Sequence, residues 1–291
     1  MQDQGAIRWC AIGASVRGAA HERLGAPNQD AIGWKFEVGD QLPLVIAVAD
    51  GHGSRKCFRS DIGAKFAVEE ALAELREAAI RAAELPSLSA AKRMAEDNWP
   101  RLLTQRWAER VASERAERPF TEAELAALVT SDGESARRVV EQNPLLAYGS
   151  TLIAVVVTST FLVYIQLGDG DILTVSEAGE VSRPLPADVR LFANETTSLC
   201  SHQAWREFRL AFQVVHEAPP ALILCSSDGY AGSFRSEADF LRVGSDLLEI
   251  IRTDGVEVVE QQLGDWLTEA SRLGSGDDVS LGIVYRALSG V

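Results

Sequence analysis

The sequence predicts an α+β fold in which helices cover antiparallel β-sheets. Strand-like and helix-like patterns lie in separate blocks, in the order strands, helical block, strands, helix pair and final strand. The regular alternation of strand and helix that is typical of a parallel sheet is absent. No linker rich in Pro, Gly or Ser divides the 291 residues, so we expect a single domain over residues 1–291.

The first half of the chain begins with short apolar segments that are bounded by Gly, Pro and Asn, a pattern typical of strands. These segments are 7–15, 30–36 and 42–50. Apolar residues then recur at helical spacing from Asp61 until the pattern fades near Pro86. This periodicity predicts a first long amphipathic helix.

Two more helices are expected before the chain returns to strands. The second begins near Ser89, and we expect Pro100 to interrupt or kink it because proline has no N–H to donate. The third begins at Thr121, which forms a capping box with Glu124, and is expected to break at 131–133.

The second half of the chain shows mostly strand patterns and one helix pair. The predicted strands are 150–159, 160–168, 171–177, 205–212, 221–226 and 279–286, and the predicted helices are 236–252 and 256–272. The irregular stretch 177–204 is expected to be a surface loop, which we call the flap.

Composition limits the class of protein. Hydrophobic residues make up 46% and charged residues 24%, as in folded soluble proteins. The net charge of −14 argues against non-specific nucleic-acid binding, which needs clustered basic residues. No apolar stretch is long enough to span a bilayer, no signal sequence is visible and no cysteine pair has CxxC spacing, so we expect a cytoplasmic protein without a membrane partner, a zinc site or a disulfide framework.

Aspartates recur where apolar strands end. The segments are AVADGHG (47–53), IQLGDGD (165–171), ILCSSDGY (223–230) and GSGDDVS (274–280), and Asp30 opens another strand. Each Asp-Gly pair alone is most simply a turn. Together, strand ends that converge on one rim would bring carboxylates close to one another, and carboxylates with water ligands suit Mg²⁺ or Mn²⁺.

The ordered set of these segments resembles the metal-dependent protein phosphatases of the type 2C family, in particular a bacterial subgroup. The matching segments are NQD (28–30), ADGHG (49–53), GST (149–151), LGDGD (167–171), SSDGY (226–230) and GDDVS (276–280). The resemblance implies two packed antiparallel β-sheets flanked by antiparallel helix pairs. It also implies hydrolysis of phosphoserine and phosphothreonine in proteins that are substrates of a serine/threonine kinase, with two Mg²⁺ or Mn²⁺ ions and a weaker third position.

The resemblance also assigns roles to residues of this chain. Asp50 would bridge both ions and Gly51 would offer its backbone carbonyl. The remaining metal positions would fall on Asp228, Asp277, Asp30 (through water) and Asp169 (at the third position).

His52 is a candidate general acid that protonates the leaving oxygen, a role that suits a near-neutral pKa. The alternative is a turn histidine bonded to a carbonyl. Asp278 either binds metal or orients its neighbours, and Thr151 and Ser280 are expected to be structural.

The chain departs from the family pattern near Asp30. Many members carry an arginine that holds the substrate phosphate before an Asn-Glu-Asp sequence, whereas this chain has Gly25 and Gln29 in the corresponding places. His21 or Arg23 is a candidate replacement for the phosphate contact, and His21 is alternatively a surface residue. The departure leaves two other functions open: a non-catalytic regulatory relative, and a structural partner-binding module of a signalling assembly.

Overall fold

Two antiparallel five-stranded sheets pack face to face in the computed structural model, which describes residues 8–37, 41–186, 188, 196–215 and 219–287. The strands are β1 (Arg8–Val16), β2 (Asp30–Glu37), β3 (Gln41–Asp50), β4 (Leu152–Val157), β5 (Phe161–Leu167), β6 (Asp171–Val175), β7 (Val181–Ser182), β8 (Arg209–Val214), β9 (Leu222–Ser226) and β10 (Val279–Ala287). One sheet has the order β1-β10-β9-β6-β7 and the other the order β2-β3-β4-β5-β8. The predicted α+β class is confirmed.

Helices cover the outer face of each sheet. They are α1 (Ala19–Leu24), α2 (Ser60–Ala83), α3 (Leu88–Glu117), α4 (Glu122–Gln142), α5 (Asp228–Ala231), α6 (Glu237–Thr253) and α7 (Val256–Leu273). Helices α2 and α3 pack on each other and α2 packs on β2 and β3, whereas α6 and α7 form the pair on the other sheet. The short helices α1 and α5 do not appear in the sequence pattern, because a helix of four to six residues is too short to show a period.

Three apolar layers hold these elements together. Val155, Ile46 and Ile223 belong to the layer between the sheets, where both faces of the central strands are buried. The second layer joins the β2–β8 sheet to α2 and α3, and the third joins the other sheet to α6 and α7. The central strands therefore read as continuous apolar runs, and polar side chains are confined to their ends.

Pro100 does not interrupt its helix, so the interruption that was one of the two predicted outcomes is wrong. Helix α3 runs without a break from Leu88 to Glu117 and carries Pro100 in its interior. Trp99, Leu103 and Trp107 are buried around it, and the Trp107 indole donates to the Gly63 carbonyl of α2 at 2.9 Å. Packing of these large side chains offsets the single backbone hydrogen bond that proline cannot make.

The capping box at the start of α4 and the break within it were predicted correctly. Thr121 Oγ1 accepts from the Glu124 backbone N–H at 3.2 Å, and Glu124 accepts in return from the Thr121 N–H, which completes the capping box. Gly133 leaves helical geometry with φ of 81°, so α4 is kinked at the expected place.

The segment after the flap differs from the prediction. Strand β8 begins at Arg209, and residues Ala204–Arg206 form a 3₁₀ turn instead of a strand. The Arg101 guanidinium of α3 lies over the Trp205 ring in this turn, with Cζ 3.2 Å from the ring centroid. This contact attaches the turn to a helix instead of a sheet. Within the flap, Val181–Ser182 pairs with β6, while residues 187 and 189–195 lie outside the described residues.

Candidate metal centre

The first two carboxylates of the site face each other across neighbouring strands. Asp30 opens β2, Asp50 ends β3, and the antiparallel register places them directly opposite each other. Thr151 holds the end of β3 in place: its hydroxyl accepts from the Asp50 N–H at 3.0 Å, and its own N–H donates to the Asp50 carbonyl at 2.8 Å. Two strand ends thus fix this pair of carboxylates from the backbone.

The other sheet contributes Asp228 and Asp277 to the same rim. Asp228 starts α5 directly after β9, and Asp277 precedes β10, which is the neighbour of β9. Gly229 allows the two segments to approach, since a β-carbon there would lie 3.2 Å from the Asp277 Cβ and would overlap the Asp278 carbonyl. Any other residue at this position would push α5 away from the carboxylate cluster.

Electrostatic coupling shows that these carboxyl groups act on one another. Burial raises the pKa of Asp50 well above its ordinary value, with a further rise from the charge of Asp30. Burial also raises the pKa of Asp30 to about 7, and it raises the pKa of Asp228 above its ordinary value. A side-chain interaction with Asp228 adds to the rise in the pKa of Asp50 and acts in the opposite direction on the pKa of Asp228. Without a cation, the cluster therefore has to retain protons to relieve its own repulsion.

Two oxygens of the cluster lack a partner among the described residues. Asp30 Oδ1 and Asp228 Oδ1 are buried and accept no hydrogen bond. A buried carboxylate oxygen without a partner is costly, and a divalent cation satisfies such an oxygen and removes the repulsion at the same time. The all-oxygen donor set fits Mg²⁺ or Mn²⁺.

Gly51 and Gly149 make the loop after β3 possible. A β-carbon at position 51 would lie 2.6 Å from the Ser60 carbonyl oxygen, and one at position 149 would lie 2.8 Å from the His52 ring. The His52 N–H donates to the Gly149 carbonyl at 3.1 Å. Gly149 therefore leaves space for the imidazole, and Gly51 allows the loop to pass close to the start of α2.

His52 and Asp169 complete this side of the site. Burial lowers the pKa of His52, while the negative charge of Asp169 acts in the opposite direction. Asp169 also raises the pKa of Asp228, which places its charge near both groups. The N–H of Gly168 donates to Thr197 Oγ1 at 2.7 Å, so the end of the flap is attached to the Asp169 loop.

Asp278 connects three segments around the site. Its carboxylate accepts from the Gly18 N–H at 2.6 Å, from the Gln29 N–H at 2.6 Å and lies 2.8 Å from His21 Nδ1. These contacts occupy both of its oxygens. Of the two alternatives for Asp278, the geometry favours orientation of its neighbours.

The two candidate phosphate contacts lie in different surroundings. His21 Nε2 is 3.9 Å from Asp277 Oδ1, so the ring reaches the cluster. Arg23 is exposed on α1, and none of its contacts within the described residues reaches the cluster. The geometry thus brings His21 to the site and leaves Arg23 outside it.

Sequence reasoning missed two residues that support the site. Ser227 Oγ donates to Asp30 Oδ2 at 2.7 Å and accepts from the Ser280 N–H at 3.0 Å, which joins the two sheets. The Gln29 carbonyl accepts from the Gly51 N–H at 3.0 Å. Serine and glutamine are common in turns, so the only available signal was their position directly beside aspartates of the ordered set.

Solved structures of bacterial serine/threonine phosphatases have the same fold. Stp1 from Staphylococcus aureus is 14% identical with a TM-score of 0.56, covering 96% of this chain and 95% of that one. Mycobacterium tuberculosis PstP/Ppp is 17% identical with a TM-score of 0.55, covering 96% and 98%. A PstP catalytic domain in complex with two manganese ions is 18% identical with a TM-score of 0.52, covering 97% and 100%.

Sequence comparison identifies the family directly. A search among curated proteins finds no match. A family model described as protein phosphatase 2C matches residues 17–268, a range that contains Asp30, Asp50, Asp169 and Asp228 and ends before Asp277 and Asp278. The match covers most of the chain and agrees with the ordered set of motifs, so the chain belongs to the protein phosphatase 2C family.

Proposed function

We propose that this protein hydrolyses phosphoserine and phosphothreonine in proteins at the cluster of Asp30, Asp50, Asp228 and Asp277. The observation that carries the proposal is the set of interacting carboxylates at this rim, in which Asp30 Oδ1 and Asp228 Oδ1 are buried and have no partner among the described residues, in a chain that belongs to a phosphatase family. Asp50, Asp228 and Asp277 are the proposed direct metal ligands, together with the Gly51 carbonyl. Asp30 acts at the second position and Asp169 at a third.

Held by these carboxylates, two divalent ions would supply a water of lowered pKa and would neutralise the charge of the phosphoryl oxygens. The protein's own contribution is to hold the carboxylates in register, since Thr151 and Ser227 fix Asp50 and Asp30 from either side. His52 lies next to the cluster and, as proposed general acid, delivers a proton to the serine or threonine oxygen that leaves. His21 is the proposed contact for the substrate phosphate, and Arg23 is the weaker candidate because it is exposed.

The expected substrates are phosphoproteins that a serine/threonine kinase produces. Membership in a protein phosphatase family supports phosphoprotein substrates, and the kinase follows from the chemistry that must create them. We propose a cytoplasmic location because all four cysteines carry free thiols. Within the described residues, none of the helices combines the length and the apolar composition needed to cross a membrane.

The regulatory and structural alternatives are not favoured. A partner-binding module has no need of buried carboxylates that repel one another, because such a cluster lowers stability unless a ligand uses it. The match to the protein phosphatase 2C family also favours an enzyme over either alternative.

The decisive experiment measures hydrolysis of an aryl phosphate with Mn²⁺, with Mg²⁺ and with a chelator. We expect activity only with metal, and a loss of at least about a hundredfold in Asp50→Asn and Asp228→Asn, since even residues that merely orient metal ligands contribute ten- to a hundredfold. Asp265→Asn is the matched control, because Asp265 is exposed on α7. Hydrolysis that persists in chelator, or in both site variants, would contradict the proposal.

A further inference from the structure

A cavity of about 550 Å³ opens beside the proposed metal centre. Asp169 forms one edge of it, and the same aspartate acts electrostatically on Asp228 and His52. Ala231 of α5, three residues after Asp228, lines the cavity as well. A peptide whose phosphorylated residue reaches the carboxylate cluster therefore has room for a neighbouring side chain here.

The walls of the cavity come from three parts of the chain. The turn between β5 and β6 forms one wall, the described part of the flap forms the second, and the start of α6 with the residues before it forms the third. Leu185, Phe234 and Phe240 give the cavity an apolar floor and side. This shape accepts the aliphatic stem of a side chain and presents polar groups to its end.

Most charges in the cavity are already paired. Arg183 contacts both Asp171 and Glu237 through its guanidinium nitrogens. Arg209 Nε lies 3.4 Å from Asp188 Oδ2. Two arginines thus face three carboxylates, so these paired groups carry a formal net charge of −1 and offer no free cation to a ligand.

Arg235 is different from the other two arginines. It lines the cavity and is exposed, and within the described part of the chain it makes no hydrogen bond, ion pair or ring contact. Among the described residues Asp169 also has no ion pair, and on the proposed function it is the third metal position. Within that part of the chain, Arg235 is therefore the cation of the cavity that is available to bind an anion.

We propose that this cavity selects substrates in which an aspartate or glutamate lies near the phosphorylated residue, and that Arg235 binds the carboxylate. The inference rests on the proposed function, and it adds a preference for one class of phosphoprotein. A chain with a net charge of −14 repels acidic peptides in general. A cation at Arg235 would offset this repulsion locally for a peptide whose carboxylate lies next to it.

Phosphothreonine peptides that carry a single aspartate, scanned through the positions on either side, test the proposal. The matched peptides carry asparagine at the same position, and kcat/KM is measured for each. At one position we expect the wild type to prefer aspartate by about fivefold, the upper end for an ion pair in contact with water. Arg235→Ala should abolish the preference, and Arg235→Glu should prefer lysine there.

Two controls separate this effect from a general loss of activity. Arg242→Ala removes an exposed arginine from α6 outside the cavity and should keep the preference. The Arg235 variants should hydrolyse a small aryl phosphate as fast as the wild type, because that substrate does not reach the cavity.

Two results would overturn the inference alone: a wild type that does not distinguish aspartate from asparagine at any position, or a preference that survives in Arg235→Ala and Arg235→Glu. Absence of aryl phosphate hydrolysis by the wild type with metal would overturn the proposed function and this inference with it.

Discussion

At the scale of single residues, His52 shows how position sets chemistry. Burial lowers its pKa, and a lowered pKa makes the protonated imidazole a stronger acid. The nearby Asp169 charge acts in the opposite direction and helps to keep the proton in place. The ring lies beside the carboxylate cluster and would release a proton readily, while the same lowered pKa reduces the fraction of His52 that is protonated at neutral pH.

We expect His52→Ala to slow alkyl phosphate hydrolysis more than aryl phosphate hydrolysis. An alkoxide needs a proton as it leaves, whereas an aryloxide is stable without one, so the alkyl substrate should lose about a hundredfold and the aryl substrate far less. The measurement is kcat for a phosphothreonine peptide and an aryl phosphate under saturating Mn²⁺. Equal losses on both substrates would assign His52 the alternative role of a turn residue.

At the scale of elements, Arg59 joins the helices to the loop that carries the site. Its guanidinium binds Glu124 at 2.7 and 3.0 Å and the Tyr148 hydroxyl at 2.8 Å. It also donates to the carbonyls of Arg118 and Pro119. This one side chain therefore connects the start of α2, the loop between α3 and α4, and the 3₁₀ turn that leads to Gly149.

Arg59→Ala should lower the free energy of unfolding by about 3 kcal/mol, because it removes a buried guanidinium from a partly buried ion pair and leaves its acceptors without a donor. Urea unfolding followed by circular dichroism provides the measurement. Arg137→Ala is the control, since Arg137 pairs with Glu122 and Glu141 at the surface and should change little. A small effect of Arg59→Ala would show that the helices are held mainly by their apolar contacts.

At the scale of the whole molecule, the carboxylate cluster makes the stability of the fold depend on pH. The pKa of Asp30 rises from 3.8 to about 7, so the folded protein retains a proton that the unfolded chain loses between these values. Its contribution to stability is therefore present at low pH and is lost as the pH rises towards 7. Glu124 behaves in the opposite way, because Arg59 lowers its pKa to about 2 and its contribution is lost only in acid.

We expect the melting temperature of metal-free wild type, relative to Asp30→Asn, to fall as the pH rises from about 4 to 7. The substitution removes the titration of Asp30 together with its effect on Asp50, so the difference reports Asp30 and its interaction with Asp50. Saturating Mn²⁺ should raise the wild-type melting temperature most at the upper end of this range, because metal and proton compete for the same oxygens. A difference that is constant across the range would contradict the raised pKa.

The match to the protein phosphatase 2C family confirms the family, the fold class, the phosphatase activity and the use of Mg²⁺ or Mn²⁺ that the ordered motifs predict. These features were accessible because each motif is local: a strand ends, an aspartate follows, and a glycine allows the turn. The capping box at Thr121 and the kink at Gly133 were predictable for the same reason. The unbroken helix around Pro100 was not predictable, because it depends on large buried side chains such as Trp107, which contacts a different helix.

By itself, the sequence determined which residue types stand at the strand ends, and therefore the family and the chemistry. The tertiary structure decided which of them meet. Asp30 faces Asp50 through strand register, Ser227 reaches Asp30 from the other sheet, and Asp278 holds residues more than 240 positions away along the chain. The tertiary structure also places Arg235 in a cavity beside Asp169, where it has no partner among the described residues. Such contacts depend on how sheets and helices pack, and no local pattern in the chain encodes the distance between them.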